Sequence, residues 1–504
     1  MLGTVGNMTV STISHSDAGG KMRIFLTQSA YGLHASSGGY RANLAFCRAM
    51  VAAGHTVLML ALPYRKDLKL LKDVVHVGSR PFGTSISTGD TAEQQRKQHH
   101  IDVFKFNYLE LEVVGLEAEQ YADVFDSKET EDVERYSTWL EGGNDDDHGE
   151  ANSGDVDDEK CIYQARQKFV YELIEEFQPT HLVMNERGSL KIAMDKRMPL
   201  PQCVRVFVAH DVNNLPFGPY AVAGETKAQH QRLKDVDALW AVSKAVQAYF
   251  THFGGITHGK ALHNHPVIYA DNPEDLTFYD NFDKTYVTFI NPGPLKGFQI
   301  AHSIIRLMPD IEFLVVKSWS MVDHVVEEYE ALPNATVVPS TKRIDDLFAQ
   351  TKLLVVPSVC YEAFGLVVVE ALLRGIPVVS SDAGGLPEAH LGVPWVVPVT
   401  PMSGEKETDV EVMSRLGEWK IPFNDPDPWL HIIHAALHDH ELYERVRVQG
   451  RETALEYLRS LDTGIYERWL LELARRKIYG PGENGSKGRV NGVADGEAAG
   501  AAGR

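Results

Sequence analysis

The feature that most constrains this chain is a repeated alternation of short apolar runs, which read as buried strands, with stretches of helical spacing. Residues 21–26 open it, with Met22, Ile24, Phe25 and Leu26 as the first run. A glycine-bearing loop leads to Gly38 and Gly39. Residues 40–50 then carry helical spacing, with Leu44, Cys47 and Val51 on one face, before Gly54 and His55 stop the helix and residues 56–60 return to strand. Strand, helix and strand on short turns make a right-handed βαβ unit. The pattern resumes with a helix carrying Ile162, Phe169, Leu173 and Phe177, and with strands at 181–184, 204–209 and 238–242. A second series has strands at 286–290, 313–316, 353–356 and 377–380 and helices at 301–307 and 344–349, with Asn272 to Asp275 as the linker. A chain of 504 residues is too long for one core. Two Rossmann-like α/β domains facing each other across a cleft are expected, a setting for two substrates.

The expected boundaries are a tail at 1–20, a first domain at 21–272, a second at 273–455, a C-terminal helix at 456–479 and a tail at 480–504. Within the first domain, about 117–160 breaks the pattern. Its part 127–160 holds thirteen acidic against three basic residues, so half of the net charge of −20 sits there. Such a stretch buries too little apolar surface to order itself. Nucleic acid is not an expected partner, because phosphate neutralisation needs a basic surface. The cysteines Cys47, Cys161, Cys203 and Cys360 are widely spaced without C-x-x-C, which excludes a disulfide scaffold and suits a reducing compartment. Residues 1–20 lack a signal-peptide core and no apolar run reaches the length of a membrane span, so the cytoplasm is the expected location. The sequons at Asn7 and Asn334 are then chance matches. The basic amphipathic piece from Arg65 to Lys72 is too short to make membrane contact the expectation.

Residues 357–379 carry the chemistry. A strand ends before Pro357, a loop carries Glu362, Gly365 allows a close turn, and a helix over 366–374 is closed by Gly375. Unsatisfied amides at that helix start can hold a diphosphate. Glu370, about one turn in, can accept two hydrogen bonds from a ribose diol, and Glu362 can reach hydroxyls of a sugar. Glu370 is flanked by Val367, Val368, Val369, Ala371 and Leu372, and a buried carboxylate there requires a partner.

The pattern P-S-x-x-x-E-x-F-G-L-x-x-x-E-A-x-x-x-G-x-P-V-V resembles the donor motif of the retaining family-4 glycosyltransferases, the glycosyl transferases group 1, and Gly384, Gly385, Pro387 and Glu388 look like its following G-G-x-P-E element. The resemblance implies the GT-B fold and retention of anomeric configuration. It also implies that Glu362 holds the donor sugar and Glu370 the ribose, with Ala363, Phe364, Gly365 and Leu366 around the diphosphate. Lys296, in the K-G that ends the loop after the second domain's first strand, would neutralise that diphosphate. The family commonly has an arginine five residues earlier, where this chain has Asn291, itself counted among the expected donor-binding residues; Lys317 and Arg343 are the candidate replacements for the missing charge. His210, just past the strand at 204–209, would lie near the sugar's 6-position or the acceptor. Gly38 and Gly39 either bring amides to the diphosphate or acceptor or make a tight turn, and Tyr361 and Phe364 either touch the sugar or pack.

The expected activity is transfer of a hexose from a nucleotide-diphosphate sugar, UDP-glucose by frequency in the family, to a hydroxyl on a small molecule or glycan. Glu362, Lys296 and His210 are the candidate catalytic residues. No cofactor or metal is expected. Asp155 with Asp157 and Asp425 with Asp427 mimic a metal-binding D-x-D away from any strand end, and His431, His434 and His438 lack a carboxylate or cysteine at ligand spacing. A GT-B disaccharide phosphorylase or synthase and a non-catalytic GT-B binding protein are the rival readings. A nicotinamide dehydrogenase lacks its G-x-G-x-x-G here. Oligomeric state is left open.

Overall fold

The computed structural model describes residues 20–31, 33, 37–82, 99–116, 157–195, 198, 200–221, 226–341, 343–409, 412 and 419–480. The expected tails lie outside the described residues except for Gly20 and Gly480. So does the acidic stretch up to residue 156, and its last four residues belong to a helix.

The first sheet contains β1 (Arg23–Tyr31), β2 (Thr56–Leu62), β3 (Val75–Phe82), β4 (His99–Tyr108), β5 (Leu111–Leu116), β6 (His181–Met184), β7 (Val204–Ala209), β8 (Ala238–Ala241) and β9 (Gly259–Ala261). Their order is β3-β4-β5-β2-β1-β6-β7-β8-β9. β1 pairs in parallel with both β2 and β6, while β3, β4 and β5 form an antiparallel meander at one edge. The second sheet contains β10 (Tyr286–Ile290), β11 (Phe313–Lys317), β12 (Ala335–Pro339), β13 (Thr351–Val356), β14 (Val378–Ser381) and β15 (Val396–Val397). It is parallel throughout, in the order β12-β11-β10-β13-β14-β15. The strand order therefore reverses between β10 and β13, and in open α/β sheets a ligand crevice opens at the carboxyl ends of the strands at such a reversal.

The helices are α1 (Gly38–Ala52), α2 (Arg65–Leu70), α3 (Asp157–Phe177), α4 (Arg187–Ala193), α5 (Lys227–Asp235), α6 (Lys244–Gly254), α7 (Phe298–Leu307), α8 (Asp323–Glu330), α9 (Ile344–Phe348), α10 (Leu366–Leu373), α11 (Leu386–Ala389), α12 (Asp427–His438), α13 (His440–Ser460) and α14 (Ile465–Tyr479). Helices cover both faces of the parallel strands, which is why β2 reads as a continuous apolar run rather than an alternating one. α10 contains three consecutive valines, poor helix formers. Burial overrides that preference, since Val368, Val369, Ala371, Leu372 and Leu373 all enter a core shared with α13.

The expected separate helix at 456–479 is instead the end of α13 followed by α14, which crosses back to the first domain. Tyr466, Trp469 and Leu470 join that domain's core, and His181 Nε2 donates to the Leu470 carbonyl at 3.0 Å.

Candidate active site

At the carboxyl end of β10 the backbone of Asn291 turns left-handed, with φ 59°, a conformation asparagine tolerates. Its Oδ1 accepts from Ser320 N at 3.1 Å and from Ser320 Oγ at 2.8 Å. The side chain is thus spent on holding the loops after β10 and β11 together. A short 3-10 turn (Pro294–Lys296) follows and ends at Gly297, φ 89°. A Cβ there would lie 2.0 Å from the Pro357 carbonyl oxygen, so only glycine lets the loops after β10 and β13 meet. Val359 N and Cys360 N both donate to the Leu295 carbonyl, at 3.1 and 3.0 Å.

That contact places Lys296 Nζ 2.7 Å from Glu362 Oε1, which also accepts from Ser358 Oγ at 2.6 Å. Burial penalises the Lys296 ammonium, but the Glu362 carboxylate it pairs with outweighs that, so its pKa is raised and the charge is held firmly. Burial also pushes the Cys360 thiol up to about 12, which leaves it protonated and unreactive at neutral pH. The exposed Trp319 ring lies 5.7 Å from the Lys296 ammonium.

Gly365 starts α10, and Gly385 N donates to the Glu362 carbonyl at 2.7 Å, fixing the loop in front of the helix. Ala363 and Leu366 are half-buried. The Phe364 ring is buried among His263 and Tyr457, so the packing reading holds for its side chain. Glu370 is only 4% exposed and has the partner its burial demands. That partner is Arg41 of α1, whose Nη2 donates to Glu370 Oε1 and, at 3.0 Å, to the Ile268 carbonyl. The Glu370 carboxylate raises the Arg41 pKa further. One ion pair therefore ties the first helix of one domain to α10 of the other.

The two helix starts face each other. A Cβ on Gly38 would come within 3.0 Å of Leu366 Cδ1, and one on Gly39 within 3.0 Å of His210 Cβ. His210, at the end of β7, lies with Nε2 2.7 Å from Asn43 Oδ1, and burial pushes its pKa down to about 4. Tyr361 donates its hydroxyl to the Ala245 carbonyl at 2.9 Å and packs beside Tyr220 and Tyr249, which makes it an interdomain contact. Glu388 also crosses the cleft: its Oε2 accepts from Lys244 N at the start of α6, at 2.9 Å, and its Oε1 lies 3.4 Å from His263 Nε2.

Lys317 pairs with Asp323 at 3.2 Å and the exposed Arg343 with Asp346 at 3.4 Å. The cation paired with Glu370 is Arg41 of α1, which the sequence reading did not single out. Its signal was only an arginine one turn into the helix that Gly38 and Gly39 open. Asp425 accepts from Asp427 N at 3.0 Å in front of α12, a turn contact, while Asp155 lies outside the described residues. His431 and His438 direct Nδ1 to carbonyls one turn back on α12. Among the described residues, no three His, Cys, Asp or Glu side chains cluster to hold a metal ion, and no helix is long and apolar enough to cross a membrane.

Residues 304–390 match the family model described as Glycosyl transferases group 1. That span runs from α7 past α11 and includes Glu362 and Glu370. No curated protein matches the chain. Among solved structures it is similar to sucrose-phosphate synthase from Thermosynechococcus elongatus, at 15% identity over 91% of this chain and 99% of that one, with TM-score 0.59. It is also similar to the catalytic domain of starch synthase IV from Arabidopsis thaliana bound to ADP and acarbose (13% identity, 91% and 99% covered, TM-score 0.57). A third likeness is to HepE from Anabaena in complex with UDP-glucose (14% identity, 90% and 98% covered, TM-score 0.53). At these identities the likeness is one of fold, and the fold is GT-B. With the family match across the donor segment, it supports a glycosyltransferase that draws on a nucleotide-sugar.

Proposed function

We propose that this chain is a retaining, metal-independent family-4 glycosyltransferase that moves a hexose from a nucleotide-diphosphate sugar, UDP-glucose first, to a hydroxyl acceptor. The observation that carries the reading is the convergence of Lys296, Glu362 and the start of α10 at the reversal between β10 and β13. Lys296 and the amides that open α10 face the diphosphate, Glu362 the sugar hydroxyls, and Glu370 the ribose diol. Both glutamates are held by cations, Lys296 and Arg41, so each serves as a hydrogen-bond acceptor of fixed orientation. Neither is free to act as a nucleophile. Displacement then proceeds on the face from which the diphosphate departs: the acceptor oxygen bonds to the anomeric carbon as its bond to the phosphate oxygen breaks, and that oxygen takes the acceptor's proton while Lys296 and the α10 amides stabilise the charge it carries. Because Lys296 supplies that positive charge, no divalent ion is required. The acceptor binds the first domain near His210, and an enclosed cleft keeps water from the donor.

The test is to incubate the chain, in excess chelator, with UDP-, GDP- and ADP-sugars and a panel of hydroxyl acceptors, following nucleoside diphosphate release. NMR then gives the anomeric configuration of the product. Transfer with retention, best with a UDP-sugar, is expected. Strict dependence on Mg²⁺ or Mn²⁺, or an inverted product, contradicts the mechanism.

A further inference from the structure

Gln28, Asn43 and His210 come from three elements, β1, α1 and β7, and meet beside the start of α1. Gln28 and Asn43 are buried polar side chains, and their hydrogen bonds have only one consistent direction. The Tyr40 carbonyl can only accept, and Gln28 Nε2 donates to it at 3.3 Å, which turns Gln28 Oε1 towards Asn43. Oε1 can only accept in turn, so the atom it meets at 2.8 Å is the Asn43 amide nitrogen. Asn43 therefore shows Oδ1 to His210 Nε2, at 2.7 Å, and an acceptor there requires the ring proton on Nε2. The other nitrogen of a neutral imidazole is a bare lone pair. Among the described residues nothing hydrogen-bonds Nδ1. Gly39 packs against Cβ, Cγ and Cδ2, which covers the opposite edge of the ring.

Charged and titratable groups on the surrounding elements are engaged elsewhere. Asp211 accepts from Asn214 N at 2.9 Å, Arg41 pairs with Glu370, and the Tyr40 hydroxyl donates to the Leu33 carbonyl at 2.7 Å. Glu186 accepts from Gly188 N and Ser189 N at 2.6 Å each. Burial alone then acts on the ring and keeps it neutral.

We propose that Gln28 and Asn43 are positioning residues: two amides anchored on a backbone carbonyl fix the His210 proton on Nε2 and present Nδ1 as an acceptor for a hydroxyl of the donor sugar or the acceptor substrate. This rests on the reading of the cleft as a site of glycosyl transfer.

Two measurements test it. In full-length protein carrying [13Cδ2]-histidine, the resonance lost in His210→Gln reports the tautomer directly. The Nε2–H form is expected from pH 6 to 8, and the Nδ1–H form overturns the proposal. A shift with UDP-glucose but not UDP assigns the hydroxyl to the donor sugar, and a shift only when acceptor is added assigns it to the acceptor. No shift in any case overturns the substrate contact. In Asn43→Asp, a carboxylate facing Nε2–H favours the charged ring, which loses its acceptor. The ratio of variant to wild-type kcat/KM should fall tenfold or more between pH 8 and pH 6, at unchanged affinity for UDP. A flat ratio means Asn43 does no more than pack. If no nucleotide-sugar supports transfer, the functional reading fails, while the resonance, read on the protein alone, still decides the positioning claim.

Discussion

Replacing Lys296 by methionine keeps an unbranched side chain, one atom shorter, and removes its charge. In the wild-type chain the ammonium is 2.7 Å from Glu362 Oε1, with the two side chains 21% and 16% exposed. Removing one partner of a fully buried pair costs about 3–5 kcal/mol. Here both groups keep some contact with water and Glu362 keeps Ser358 Oγ at 2.6 Å, so the loss should be nearer that of one charge-assisted hydrogen bond, about 1.5–3 kcal/mol. For a domain of this size that is a fall in Tm of roughly 3–12 °C. Binding of a nucleoside diphosphate should weaken separately, because the phosphate loses a charged donor: roughly ten- to a hundred-fold in Kd. Adding Glu362→Gln separates the two effects. The double variant no longer leaves a carboxylate unpaired and should recover most of the Tm, while the weakened UDP binding should persist. Melting curves and calorimetric titration with UDP on the wild type, both single variants and the double variant complete the cycle. If Lys296→Met loses stability but binds UDP within threefold of wild type, the lysine is structural and the diphosphate lies elsewhere.

Two further outcomes follow from the same geometry. Arg41→Ala should leave Glu370 without the cation that orients it, so UDP binds several-fold more weakly by calorimetry and kcat/KM falls as the interdomain tie is lost; unchanged UDP binding would mean that Arg41 does not orient the ribose acceptor. Burial of His181, and the partial burial of His210, push both pKa values down to about 4, so an unfolded chain takes up their protons first as pH falls. Their stabilising contribution is complete above about pH 6.5 and is lost between there and about pH 4, at up to about 1.4 kcal/mol per pH unit for each. Denaturant midpoints measured across that range should decline, and the His210→Gln variant should show the shallower decline.

The sequence was most legible where strands are buried on both faces. The runs at 181–184, 204–209 and 286–290 have the observed limits because both neighbours of each side chain are core. The edge strand β3 escaped notice because Val75 and Val77 are 60% and 45% exposed, so no single buried face marks it. Glu362, Glu370 and Lys296 could be named from the sequence because two loops and one helix carry them in local patterns. Arg41 was not, because its partner is 329 positions away and no spacing rule reaches so far. The same holds for the bond from the start of α6 to Glu388 of α11, 144 positions away. The apolar face of α14 could be read locally, yet nothing local says which domain it covers. That Asn291 sits in a left-handed turn pinned by Ser320 is visible only in three dimensions.

The central claim is the orientation of the donor: ribose at Glu370, sugar at Glu362. Calorimetric titration of Glu370→Ala and Glu362→Ala with UDP and with UDP-glucose tests it most directly. Loss of a charged acceptor for the ribose diol should cost about 1.5–3 kcal/mol, so Glu370→Ala should weaken both ligands equally, by roughly ten- to a hundred-fold. Glu362→Ala should leave UDP unchanged and weaken only UDP-glucose. UDP affinity untouched by Glu370→Ala, or lost in Glu362→Ala, would place the donor the other way round in the cleft.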